Sequence, residues 1–409
     1  MPNLFQNTTS GAGDLKTIFE GPIREQLNDQ TKFVKMSDRV TKPWSAKQIN
    51  VPLNIARNQG IGSTTDGGAL PAIGRQGLTQ ATIVAKYNYA RTGITGAMIK
   101  SSMSDAGSFV RDFQYEMDRS IQDLSTDVDR QWAWNGDGKV ASMGANAVAT
   151  TSITIAGRET GEPAQKFVAA NMQFDIYTSA GALVQSGITI QSITGDIMAS
   201  TATAVVSTPV NASLGDYIVR SGSYGNDIQG ILYSQDGLTT SIYGIDRSTT
   251  PQFQGNLVDA GGQQLTLSML QSVYNRVPYR SGKPIDWIST EFSGIQMYQK
   301  LLTPDIRFVA SGGSPNKGDG SFGQGTEYNM AFMGVGVEVI WTQSPKFLFL
   351  NKKSWKWYEM CPASFADESG APAIAQPSTD AYEMRLRWFG NAFCDQPGAN
   401  AVLKGYISP

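Results

Sequence analysis

Histidine is the side chain most often used to move protons, bind zinc or activate a nucleophile near neutral pH, and none occurs among these 409 residues. Its absence removes Ser-His-Asp and Cys-His arrangements, HExxH zinc sites and imidazole acid-base catalysis together. Carboxylates, lysine, tyrosine, serine and cysteine remain. Two carboxylates suffice for glycoside hydrolysis, so a histidine-free carbohydrate-active enzyme is one reading, yet no pair stands out from the 35 acidic residues. Cys361 and Cys394 form no CxxC pattern, which predicts two buried free thiols in place of a zinc or redox site. The run SGGSPNKGDGSFGQG, from Ser311 to Gly325, lacks the order of a phosphate-binding loop and reads as a plain loop. The sequence predicts no catalytic residue, no metal ligand and no cofactor.

Charge carries the positive signal. From Gln30 to Lys100 there are ten basic residues against two acidic ones, and from Asp105 to Arg130 seven acidic against three basic, in a chain whose net charge is −2. Segregation of this kind suits head-to-tail packing of identical subunits, with a basic arm on an acidic neighbour. The candidate contacts are Arg57, Arg75, Lys86 and Arg91 on the basic side and Asp112, Glu116, Asp123 and Asp127 on the acidic side, with Arg119 interrupting the acidic stripe. A basic arm for nucleic acid is the rival reading. It lacks dense Lys/Arg clusters and base-stacking aromatics at its tip.

The elements that must position these charges follow from periodicity. Phe109, Phe113, Met117, Ile121, Leu124, Val128 and Trp132 recur at steps of four or three, predicting a helix from Ser108 to Trp134. Asp105 or Ser108 can cap its start, and Asn135-Gly136 supplies a left-handed stop. Ahead of it, Ile49, Val51, Leu53 and Ile55 alternate with polar residues, as do Ile83, Ala85, Tyr87 and Tyr89. The stretch between them carries glycine at 60, 62, 67, 68, 74 and 77, so the expectation is a long hairpin with a glycine-rich tip. Such a hairpin is marginal by itself and needs a surface to rest on.

Residues 1–45 hold too few apolar positions for a core and read as an arm, with a second short helix starting at PIREQLN. Residues 140–230 are poor in charge and rich in Thr, Ser, Gly and Val, with alternating runs such as TSITI, GITIQSI and DYIVR, which predicts an inserted all-β module. From Leu265 onward the chain reads α+β. A helix carries Leu267, Leu270, Tyr274 and Val277 and ends near Pro278; IDWIS is a buried strand; Ile295, Tyr298 and Leu302 mark another helix; strands follow at Val335–Trp341, Phe347–Phe349, Trp355–Trp357 and Tyr382–Trp388. No apolar run is long enough to cross a bilayer, and the first residues lack the pattern of a secretory signal, so no membrane partner is expected and folding is placed in a cytoplasm or in something assembled there.

An arm containing FEGPIREQLN, a long hairpin, a long acidic helix, an inserted β module and an α+β domain closing with AYEMRLRWFGNAFCDQPGANAVLKGYI resemble, in that order, the major capsid protein of tailed bacteriophages of the HK97 type. The resemblance covers nearly the whole chain and lies in architecture, not in a catalytic signature. It implies an α+β fold with an N-arm (1–45), an extended loop hairpin (46–104), a spine helix and peripheral domain (105–149), an inserted β domain (150–230), an axial domain (231–380) and a return to the peripheral domain (381–409). It further implies a structural protein of the virion, not an enzyme, whose copies form pentamers and hexamers and close an icosahedral shell around double-stranded DNA held without sequence-specific binding. A separate scaffolding protein, a portal and a decoration protein are the partners to look for. A cellular nanocompartment shell of the same fold is the alternative.

Overall fold

The computed structural model describes residues 31–40, 44, 47–97, 106–235, 241–302, 330–366, 373–375 and 379–407. The arm before Thr31, the cap at Asp105 and the loop Ser311–Gly325 lie outside the described residues, as do the side chains of the long helix before Met117.

Helix α1 (Phe33–Met36) and strand β1 (Asp38–Val40) precede the hairpin. The alternation of apolar and polar residues makes strand β2 (Gln48–Ala56), which pairs antiparallel with β3 (Gly77–Val84), Ile49 opposite Ile83 and Val51 opposite Ala81. At its root this face rests on Ile242, Tyr243, Ile245 and Phe253. The second arm is shorter than the sequence suggests. After Ala85 the inward phase slips by one residue: Ala81, Ile83 and Ala85 are buried, then Asn88, while Tyr87 and Tyr89 turn outward. The chain leaves the hairpin there, and β4 (Lys86–Thr95) pairs along ten residues with β20 (Ala381–Cys394). The stretch 46–104 is therefore two units, and Lys86 and Arg91 stand on the sheet, not on the hairpin.

Helix α2 (Ala106–Ala133) spans about 42 Å at ~1.5 Å per residue. Leu124, Val128 and Trp132 are buried as the spacing predicts, whereas Ile121, expected on the same face, is exposed. Gly136 (φ +81°) closes the turn beyond it. The helix covers a five-stranded sheet in which β1, β18 (Trp355–Phe365), β20 and β19 (Ala373–Ala375) lie in that order, with β4 on the other side of β20. Trp132 sits with its ring centre 5.9 Å from those of both Trp355 and Trp357, and Trp388 packs beside Trp357. Strand β18 thus belongs with the long helix, although its position in the chain places it within 231–380.

The charge-poor stretch forms a closed six-stranded barrel of β5 (Lys139–Met143), β6 (Ala147–Ala156), β7 (Gln173–Tyr177), β8 (Leu183–Thr194), β9 (Thr201–Ala212) and β10 (Tyr217–Arg220). It starts at Lys139, before the expected boundary at 150, because β5 and β10 close the ring against each other. Ile153, Ile155, Phe174, Ile176, Ile188, Ile190, Val206 and Ile218 fill it, which is what alternation in a small barrel provides.

Beyond the barrel come a short helix α3 (Ile231–Gln235), the ribbon of β11 (Ser241–Ile242) and β12 (Ile245–Asp246), and β13 (Asn256–Asp259). A six-stranded sheet follows in the order β13, β21 (Ala401–Lys404), β17 (Phe347–Leu350), β14 (Trp287–Thr290), β16 (Val335–Val339) and β15 (Met330–Phe332). Its core takes in helices α4 (Leu267–Ser281) and α5 (Phe292–Leu302). Helix α4 continues through Pro278 instead of stopping there: the last turn closes when the Gly282 N–H, at φ +68°, donates to the Pro278 carbonyl. The C-terminal return is split, since β20 joins the long helix while β21 enters the middle of the second sheet.

Candidate functional site

The eight charged positions fall into three groups. Arg57 and Arg75 flank the tip of the hairpin and are exposed. Lys86, Arg91 and Asp127 already have partners within their own chain. The Lys86 ammonium donates to the Gly225 carbonyl at 2.7 Å, and its pKa is lowered by burial, with Asp227 opposing. Arg91 forks onto Glu383 with contacts of 2.7 and 2.9 Å. Asp127 accepts from Arg130 at 2.9 Å and Gln131 at 2.8 Å and lies 3.4 Å from Arg220. Burial opposes its charge, but Arg130 and Arg220 hold its carboxyl well below the usual range. Asp123 is exposed on the helix, and the side chains of Asp112 and Glu116 lie outside the described residues. Arg91 and Asp127 are thus paired within their own chain, and the shift of phase at Ala85 brings Arg91 over Glu383 instead of placing it on the hairpin.

Two exposed surfaces went unnoticed in the sequence. One is the hairpin tip, where Ile61, Leu70, Ile73 and Leu78 are each more than 70% exposed. The other is the face of β4 and β20 turned away from the long helix. There Tyr87 and Tyr89, 55% and 59% exposed, both meet Phe389 edge-on with ring centres 5.1 Å apart. Arg91, Arg385 and Arg387 continue the same face, with Glu383 receiving both Arg91 and Arg385. The signal was present as Tyr and Arg at steps of two, but the alternation grouped Tyr87 and Tyr89 with Ile83 and Ala85.

Behind these surfaces the body is pinned by buried charge. Asp129 is fully buried; it accepts from the N–H groups of Phe33 (2.7 Å) and Val34 (3.1 Å) and from the Thr342 hydroxyl (2.8 Å), which ties the root of the arm to the long helix and to the second sheet. Burial pushes its carboxyl up to about 6. The barrel is held by Lys166, whose ammonium reaches Glu162 (3.0 Å), Glu291 (2.7 Å) and the Gln343 carbonyl (2.6 Å), and by a Lys346–Glu159 pair. Arg158 pairs with Asp137 at 2.8 Å and lies 3.8 Å over the Trp134 ring. Arg130 is buried between Asp127 and Asp227.

Among the described residues no group of three or more His, Cys, Asp or Glu is placed to hold a metal ion, and no helix is long and apolar enough to cross a membrane. Cys394 is buried, and burial pushes its thiol far up; Cys361, expected to be buried, is only half-buried on β18. What the arrangement offers is contact area: an outstretched apolar tip and an aromatic, arginine-bearing sheet face on a rigid body.

No protein-family model and no curated protein matches the chain. Solved structures do. A chain of the cyanophage A-1(L) capsid asymmetric unit is 11% identical over 98% of this chain and 99% of its own, with a TM-score of 0.62. A chain from the capsid of a native GTA particle is 10% identical over 99% of this chain and 100% of its own, with a TM-score of 0.56. Likeness over the full length of both chains at this identity establishes a shared fold: the chain has the α+β fold of these capsid chains.

Proposed function

We propose that this chain is the major capsid protein of a tailed phage, of the HK97 type, whose copies form pentamers and hexamers and close an icosahedral shell around double-stranded DNA. The observation that carries the reading is the full-length likeness to capsid chains, in which hairpin, long helix, barrel and second sheet are all included. In that family's terms, β2 and β3 with their tip are the extended loop, α2 is the spine helix, its five-stranded sheet is the peripheral domain, and the six-stranded sheet is the axial domain. The closed barrel is the inserted domain.

Physical features support the same conclusion. A hairpin whose root alone is covered needs a second body under its tip, and Arg57 and Arg75 there are free to meet acidic residues of that body. A net charge of −2 suits an inner surface that confines DNA without gripping it. Buried ion pairs hold the barrel, and hydrogen bonds to the buried Asp129 hold the arm root, in one arrangement, as a repeating tile requires. A separate scaffolding protein, a portal and a decoration protein are the partners this reading assigns.

Expression of the chain alone and with its scaffolding partner, followed by light scattering and negative-stain microscopy, tests the proposal. Closed uniform shells or capsomer rings are expected. A stable monomer or small dimer under both conditions would refute it.

A further inference from the structure

We infer that residues 221–230, by which the chain leaves the barrel, form a strap that ties the barrel wall to the root of the hairpin, so that loosening either end loosens the other. The coupling is a property of the single subunit and holds whether or not copies assemble.

The strap starts on the barrel. Beyond β10 the chain turns back, and Tyr224 lays its ring on that of Tyr177 in β7, with centres 4.1 Å apart and planes 11° from parallel. The loop between β7 and β8 closes around it: a Cβ on Gly181 would lie 2.3 Å from the Tyr224 hydroxyl. Further along, Asp227 takes Arg130 of the long helix at 2.8 Å.

On its way to the helix end the strap meets the hairpin root. The Gly225 carbonyl accepts from Lys86, the first residue of β4, at 2.7 Å. Asn391 of β20 serves strap and hairpin together. Its amide nitrogen donates to the carbonyl of Val84, the last residue of β3, and to the Gln229 side chain, each at 2.9 Å, while its oxygen accepts from the Gln229 N–H at 3.1 Å. Gln131 repeats the arrangement from the helix: its oxygen accepts from the Ile228 N–H and its nitrogen donates to Asn88 of β4, both at 3.0 Å. Asn391 and Gln131 are buried, so no water replaces a partner that moves away.

Little slack is left in this path. A Cβ on Gly230 would lie 2.3 to 2.6 Å from the carbonyl oxygens of Gln131, Trp132 and Trp134, so the strap crosses the end of the long helix at backbone contact. A segment seated this closely cannot absorb a displacement. Loosening it at Tyr224 changes the partner of Lys86 directly and those of Val84 and Asn88 through Asn391 and Gln131. These three residues bracket Ala85 and set the direction in which the hairpin leaves the sheet. Coupling of this kind is reciprocal: the free energy with which the barrel end holds the hairpin is the one with which the hairpin holds the barrel end.

Hydrogen exchange in unassembled subunits, read amide by amide, tests both directions. Tyr224→Ala is expected to speed exchange at least tenfold in β2 and β3 next to Ala85, while β14 and β17 of the second sheet stay within twofold. Tyr217→Ala is the control, because Tyr217 is the direct cross-strand partner of Tyr177 on the same wall but lies off the strap; it should leave the hairpin amides within twofold. From the other end, Lys86→Met should speed exchange at least tenfold in β7 around Tyr177. Combining Tyr224→Ala with Lys86→Met should accelerate the hairpin amides by clearly less than the product of the two single effects, since a strap loose at one end has less to lose at the other. Hairpin amides that ignore Tyr224→Ala, a β7 that ignores Lys86→Met, or single effects that simply multiply would overturn the strap. Equal acceleration by Tyr217→Ala would overturn it as well, by showing that any damage to the barrel reaches the hairpin. If Tyr224→Ala does not fold, Lys86→Met, on a half-buried side chain, decides the matter by itself.

Discussion

Replacing Asp129 with asparagine is expected to remove a pH-dependent weakness at the root of the arm. The carboxylate is fully buried among the N–H groups of Phe33 and Val34 and the Thr342 hydroxyl, and burial raises its pKa to about 6 from 3.8. A carboxyl raised on folding binds its proton more tightly in the folded state. Its contribution to stability is complete below the unfolded pKa and is lost as pH rises through the folded one. A rise of about two pH units, at about 1.4 kcal/mol each, corresponds to about 3 kcal/mol lost between roughly pH 4 and pH 6. In Asp129→Asn the amide oxygen still accepts from both N–H groups, and the amide nitrogen can donate to the Thr342 oxygen, with no charge to bury. Urea unfolding of unassembled subunits from pH 4 to pH 8 should show the variant gaining on the parent by about 3 kcal/mol over that window and running parallel above it. Asp129→Ala, which strands three donors, should be less stable than the parent by about 2–4 kcal/mol at pH 4, and the gap should narrow by about 3 kcal/mol toward pH 6 because it too lacks the titrating carboxyl. A constant difference between Asp129→Asn and the parent across the whole range would refute the account of the buried carboxylate.

Trp132→Ala, which empties the space facing Trp355 and Trp357, should cost about 3–5 kcal/mol, seen as a lower thermal midpoint with loss of near-ultraviolet dichroism. Lys166→Met leaves the Glu162 and Glu291 carboxylates buried together and should cost about 3–5 kcal/mol at pH 7. The loss should shrink toward pH 5 as Glu291, whose pKa burial already raises, takes up a proton, and adding Glu291→Gln should recover much of it in the same unfolding assay. Arg57→Glu with Arg75→Glu should leave subunit stability within about 0.5 kcal/mol, since both are exposed, while slowing assembly followed by light scattering and weakening its dependence on salt.

Most elements were legible because their periodicity is long and their partners are local. The alternation of Ile49 to Ile55 gives β2, and Leu124, Val128 and Trp132 give the buried stripe of the long helix. Errors came where a distant strand decides the outcome. Nothing near Ala85 announces that β20, some three hundred residues later, will claim Lys86 onward and turn Tyr87 and Tyr89 outward. In the same way β21 is a run of four apolar-rich residues whose place between β13 and β17 only the tertiary pairing fixes. The charge segregation was visible, and so was Arg130 three residues after Asp127 on the same helix, but Glu383 and Arg220 were not, because they reach Arg91 and Asp127 through pairing and packing and not along the chain.

The single residue between β3 and β4 also sets how the subunit answers a pull. Force applied at the hairpin tip runs along β3 through Ala85 straight into β4, in line with the strand. The ten residue pairs between β4 and β20 then meet it in shear, all resisting at once, where a perpendicular load would part them one after another. Tension drawn through the hairpin is thus delivered to the longest ladder of the sheet beneath the tryptophan core, and the joint gains rigidity from the very shortness of its connection.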